Sequence, residues 1–235
     1  GVLALALILY PQGKYTEAES LLKRALEIRE RTLGPDHVEV AASLASLALP
    51  AADQGRYREA EPLYRRSLNI LEKALGPEHP EVAAVLHILG ALYYIQGLYG
   101  PAEPLFSRSL TIREKVLGSD YPDVATSLYF LGAVQYGRGA TDRANVLLRR
   151  ALAIREKALG PEHPEVASVL GLLSAVCRYR GRYDEAEAFA FRCLAILEKK
   201  LGAKHPALVT TLNNLAEICS SQASYAKAAL YYRRV

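Results

Sequence analysis

Cysteine is scarce in this sequence of 235 residues: Cys177, Cys193 and Cys219 stand alone and scattered. Three such residues support neither a disulfide framework nor a four-ligand zinc site, so the chain reads as one made for a reducing compartment. An excess of one charge is also lacking. Lys and Arg number 29 against 25 Asp and Glu, a net +4, which argues against nucleic acid as the default partner. Long apolar runs are missing as well. The longest, Val2 to Tyr10, is nine residues, against the ~20 needed to span a bilayer. No Lys or Arg precedes it, so it is assigned to the fold rather than to an export signal. With no membrane or export signal in view, the cytoplasm is the expected location.

What the chain has is periodicity. Gly13, Gly55, Gly97, Gly139 and Gly181 are each 42 residues apart, as are Gly34, Gly76, Gly118, Gly160 and Gly202. Arg24, Arg66, Arg108, Arg150, Arg192 and Arg234 form a third column, and the segment Glu72 to Ala83 recurs letter for letter at Glu156 to Ala167. Self-similarity at a fixed period of this length marks a repeat architecture. The whole chain, 1–235, therefore reads as a single array of about six units, cut at both ends from something longer. The apolar Val2 to Tyr10 segment is then expected to be covered by a preceding unit, because terminal repeats ordinarily carry a polar outer face.

Within each unit the apolar residues fall at helical spacing. Val82, Leu86, Leu89, Gly90 and Tyr93 make one stripe of a helix A over about 80–96. Ala60, Leu63, Tyr64, Ser67, Leu68 and Leu71 make a similar stripe on a helix B over about 58–75. Gly76 is placed to end helix B as a left-handed residue, Pro77 blocks its continuation and Pro80 suits the first turn of the next helix. Pro62 and Pro104 are expected near enough to the start of helix B to be tolerated, whereas Pro50 is expected in mid-helix A, at a cost of ~3 kcal/mol. The loops at Gly118-Ser119 and Gly202-Ala203, which lack the Gly-Pro pair, are expected to be looser.

The residues Leu89-Gly90-Ala91-Leu92-Tyr93 with Gln96-Gly97, and Ala60-Glu61-Pro62-Leu63-Tyr64-Arg65-Arg66-Ser67-Leu68 of the preceding unit, resemble a tetratricopeptide repeat. The 42-residue period with Leu75-Gly76-Pro77-Glu78-His79-Pro80 is similar to the kinesin light chain subtype, found also in many bacterial proteins. That resemblance implies an all-α fold, a right-handed α-α superhelix of helix-turn-helix units. The A helices would line its concave side and the B helices its convex side. It implies an interaction scaffold rather than an enzyme.

Four of the five histidines recur, His37, His79, His163 and His205, and a whole repeat separates each from the next, too far to share a metal ion. Each precedes a helix start, which predicts a capping or loop-packing role. The cysteines read as small hydrophobes. No phosphate-cradling loop and no catalytic constellation is found, so neither enzyme activity, cofactor nor metal is expected. The basic pairs Lys23/Arg24, Arg65/Arg66, Arg149/Arg150 and Arg233/Arg234 would form a ridge on the B helices; a solvated face is the preferred reading and polyanion binding the lesser one.

Function is expected on a second face of helix A, which varies while the core repeats. There the sequence places His87, Tyr94, Tyr129, Tyr136, Arg178, Tyr179, Asn213, Asn214 and Glu217. Tyrosines beside small residues make shallow pockets with polar tips, and Arg178 offers a forked donor. The expected partner is an extended peptide or short helix of another protein, or of the same chain. Stacking of arrays through uncapped ends is the alternative. The paired asparagines by which kinesin light chain repeats hold cargo peptide are matched only by Asn213-Asn214, and the Lys and Asn residues of the chaperone-tail carboxylate clamp have no counterpart.

Overall fold

A computed structural model describes residues 14–235. The apolar run at Val2 to Tyr10 lies outside the described residues. Among those described there are eleven α-helices and no strand: α1 Tyr15–Leu33, α2 Val38–Asp53, α3 Tyr57–Leu75, α4 Pro80–Ile95, α5 Tyr99–Leu117, α6 Pro122–Gly137, α7 Thr141–Leu159, α8 Pro164–Tyr179, α9 Tyr183–Leu201, α10 Val209–Ser221 and α11 Tyr225–Tyr232. A 3-10 turn, Pro206–Leu208, precedes α10. The even-numbered helices are the A helices of the sequence pattern and the odd-numbered ones the B helices. None of the described helices is long and apolar enough to cross a membrane. The chain divides into two compact units at Val116/Leu117.

In the first unit the apolar stripes of α2 and α4 meet those of α3 and α5. Val40, Leu44, Ile70, Val82, Leu86 and Ile112 form one buried cluster. In the second unit Cys177, Ala186, Leu194, Leu208, Leu212, Leu215 and Ile218 form another. Buried serines tie the two helices of a hairpin together: the Ser67 hydroxyl donates to the Ala41 carbonyl and the Ser109 hydroxyl to that of Ala83, each at 2.8 Å. All three cysteines are buried, as small hydrophobes would be.

Three of the recurring histidines cap A helices, and His205 caps the 3-10 turn that leads into α10. Nδ1 of His37, His79, His163 and His205 accepts the backbone N–H of Glu39, Glu81, Glu165 and Ala207, each at 3.2 Å. This satisfies a donor that the helix start leaves without a partner. Tyr121, which interrupts the column, caps α6 without a side-chain bond.

Several details differ from the sequence reading. Gly76 has φ 89° and ψ 158°, so it leaves helix B in the extended region of positive φ that glycine alone enters freely, not in the left-handed helical region. The turns at Gly118 and Gly202 are as closed as the others: Tyr121 N–H reaches the Gly118 carbonyl at 3.4 Å and His205 N–H that of Gly202 at 3.2 Å, against 3.4 Å for His79 to Gly76. A backbone bond closes these loops, so they do not depend on the proline. Ala223 takes φ 56° in the last A-to-B turn, where its predecessors have glycine, a conformation that costs an L-residue roughly 1–2 kcal/mol.

The prolines also sit elsewhere than expected. Pro50 is buried in the last turn of α2 rather than at its middle, and its carbonyl accepts the Gln54 N–H at 3.2 Å. Pro62 is the sixth residue of α3, past the unpaired donors of the first turn, but it is exposed. Water can then serve the carbonyl that loses its helical bond.

Two glycines inside A helices differ in the space around them. A Cβ on Gly132 would stand 2.8 Å from Leu148 Cγ and 2.9 Å from Cδ2, and Leu148 is fully buried. A Cβ on Gly171 would meet only the Cys193 Sγ, at an ordinary 3.6 Å. Alanine gains about 1 kcal/mol over glycine in a helix, while overpacking a core costs about 1–3 kcal/mol. Urea unfolding should therefore find Gly132→Ala destabilised, by about 1–2 kcal/mol, and Gly171→Ala stabilised, by up to about 1 kcal/mol. Equal signs for the two would contradict this packing.

Candidate functional site

A concave feature on the A helices lies in the second unit, around α8. Ser168, Gly171, Leu172, Ala175 and Arg178 recur at helical spacing and so share one face. Tyr129 and Tyr136 of α6 border it on one side, Thr210, Thr211 and Asn214 of α10 on the other, and Cys193 and Leu197 of α9 form part of its floor; the volume is about 430 Å³. The walls are mainly apolar with a few convergent polar groups, the composition of a ligand site.

The pocket owes its depth to two columns of the repeat. In the preceding repeat these columns hold Tyr129 and Arg155, the guanidinium lying over the ring with its carbon 5.2 Å from the centroid. Arg155 is 5% exposed and donates to the Glu165 carbonyl at 2.9 Å. At the α8 hairpin the same columns hold Gly171 and Leu197, and the ring and the cation are both gone. The sequence reading placed tyrosines beside small residues on this face without singling out Gly171; the signal was the missing side chain there.

The residues expected on this face separate as follows. Tyr129, Tyr136, Arg178 and Asn214 line the pocket. Tyr179, 70% exposed, packs edge-on against Tyr136 with centroids 6.4 Å apart. Glu217 is drawn to Arg178 at 3.0 Å across the gap between α8 and α10. Asn213, half-buried, is not part of the lining. His87 and Tyr94 belong to the first unit. The His87 ring meets Phe106 of α5 edge-on at 5.3 Å, and Tyr94 meets Tyr99 at 5.8 Å across the turn joining α4 to α5. Burial, with Arg113 nearby, lowers the pKa of His87 from 6.5 to about 4.

The site's electrostatics are internally settled. Arg178 pairs with Glu217 at 3.0 Å, and Arg180 pairs separately with Asp142 at 2.5 Å. Burial raises the Tyr129 hydroxyl, against a smaller opposing effect of Arg155. Burial and then Glu185 push the Cys177 thiol up to about 11, and burial raises Cys193. A thiol held protonated is a poor nucleophile. Among the described residues no group of His, Cys, Asp and Glu could hold a metal ion.

On the B helices the arginine column is committed to holding successive repeats together. Arg66 reaches Glu30 at 2.7 Å, Arg108 reaches Glu72 at 2.5 Å and the Pro77 carbonyl at 3.0 Å, and Arg192 reaches Glu156 at 2.5 Å and the Pro161 carbonyl at 3.3 Å. Lys115 with Glu78 and Lys157 with Asp120 repeat a second tie.

Comparison with known proteins agrees with this architecture. The family model described as tetratricopeptide repeat matches residues 2–73, 51–115, 89–157, 146–199 and 181–235, the whole of the repeating region. No curated protein matches the chain. A Podosopora anserina kinesin light chain-type protein with nearly identical TPR-like repeats is 26% identical over 84% of this chain and 94% of its own, with a TM-score of 0.72. BtubC of P. vanneervenii is 21% identical over 92% of this chain and 87% of its own, TM-score 0.77. The apo form of RapI is 15% identical over 99% and 94%, TM-score 0.77. These last two likenesses are of fold.

Proposed function

Because the chain belongs to the tetratricopeptide repeat family, we propose that it is a non-catalytic scaffold whose A-helix face holds an extended peptide or short helix of a partner protein. The observation that carries this reading is the mainly apolar pocket of about 430 Å³ at Gly171, bordered by residues of three A helices. Its polar groups suit a peptide. Asn214 offers an amide that can donate to and accept from a backbone, and Thr210 and Ser168 add hydroxyls at the rim. Tyrosines supply broad contact area at small entropic cost. The non-catalytic part of the reading is supported by chemistry already spent: Arg178 faces Glu217, and the buried thiols are held protonated.

A heptapeptide library selected against the chain supplies a ligand. With that ligand in fluorescence anisotropy, Tyr136→Ala and Tyr179→Ala together should weaken binding about 5- to 150-fold, the range of an interfacial aromatic worth roughly 1–3 kcal/mol, with unchanged helical circular dichroism. Unchanged affinity would reject this face as the site.

A further inference from the structure

The space at Gly171 is the negative of what neighbouring repeats put there. Tyr129 and Arg155 fill the two columns one repeat earlier, stacked on each other, and His87 and Arg113 occupy them in the repeat before that. Gly171 and Leu197 leave both unfilled, and a Cβ on Gly171 would find only Cys193 within 4 Å. The floor of Leu172, Leu197, Ala167 and Cys193 is apolar. Charge narrows the occupant further. The rim cation Arg178 is neutralised by Glu217 at 3.0 Å. An acidic group would have to displace Glu217 and shed its hydration, and a basic one would meet Arg178. The complement of this site in charge is an uncharged group.

We propose that the pocket receives one bulky, uncharged apolar side chain of a partner peptide, of leucine or phenylalanine size, and that Glu217 is the specificity residue that keeps acidic side chains out. This rests on the peptide-binding reading above and names the chemistry of its central contact.

The test uses three probes, N-acetyl-phenylalanine amide, N-acetyl-leucine amide and N-acetyl-glutamate amide. Each is titrated into the full chain while the backbone amide resonances of Gly171, Ala175 and Thr211 are followed by NMR. The two apolar probes should bind and the acidic one should bind at least about tenfold more weakly. Gly171→Phe should weaken the apolar probes by at least about tenfold. Its ring stands where α6 carries Tyr129, and should that variant not fold, Leu197→Arg refills the second column. Glu217→Gln frees Arg178 and should bring the acidic probe within about threefold of the others. Equal binding of the acidic and apolar probes to the unmodified chain, or undiminished apolar binding to the filled variants, would overturn the proposal.

The library selection separates this failure from that of the peptide reading. Binders recovered equally by the chain and by Gly171→Phe would leave the face a peptide site and overturn the pocket's role. Probe binding with no peptide recovered would leave the pocket chemistry standing and remove the peptide reading.

Discussion

Replacing Phe106 by alanine is expected to cost about 3–5 kcal/mol, a large share of the stability of an ordinary domain. Phe106 is fully buried in α5, and three of its ring carbons lie 3.0–3.1 Å from where a Cβ on Gly90 would stand. The glycine in α4 exists to admit this ring, so removing the ring leaves a cavity that a helix backbone cannot collapse to fill. Each hairpin of a repeat array is supported by its neighbours, so the loss should spread to the flanking helices. Urea unfolding followed by circular dichroism measures it. A cost below about 1 kcal/mol would mean that the ring is no keystone of its hairpin. The same variant should raise the pKa of His87 toward its ordinary 6.5, because Phe106 is part of what keeps water from that imidazole.

The second large effect is loss of stability in mild acid. Folded, His87 stays neutral down to about pH 4 through burial and the nearby Arg113. Unfolded, it takes up a proton near pH 6.5. Between those values the unfolded state binds more protons, so stability rises with pH across the window and is lost as pH falls from about 6.5 to about 4. At 1.36 kcal/mol per pKa unit the loss attributable to this residue approaches about 3 kcal/mol below pH 4. Carboxylates add their own acid dependence at the low end. The informative quantity is therefore the difference between the chain and His87→Leu in urea midpoints at pH 7, 5.5 and 4. That difference should shift steadily in the variant's favour as pH falls. A constant difference would place His87 in water in the folded state.

How much of the fold was legible in the residues follows the range of the forces concerned. Helix limits were read to within one residue at Pro80–Ile95 and Tyr57–Leu75, because apolar spacing, glycine stops and proline starts are local. The capping role of the histidines was legible for the same reason: Nδ1 bonds two residues along the chain. Pro50 was misplaced by about a turn: its helix stops at Asp53, just ahead of Gly55, so the proline falls in the last turn rather than at the middle. The arginine column was visible as a column, but its use was not, since Arg108 finds Glu72 on another helix, 36 residues away.

The candidate site divides in the same way. Tyr136, Arg178 and Asn214 could be placed on the A-helix face from 3.6-residue geometry alone, and the structure brings them around one pocket. His87 sits on that helical face by spacing, yet its ring turns onto Phe106.

By itself, then, the sequence settled the period, the all-helical architecture, the family and the faces of each helix, because those depend on residues a few positions apart. Tertiary structure alone decided where along the face there is room. The depth at Gly171 depends on Leu197 standing in for an arginine on a different helix, and the neutrality of its rim on Glu217 crossing to Arg178. Volume and charge balance are sums over side chains brought together by packing, and no spacing rule along one chain contains them.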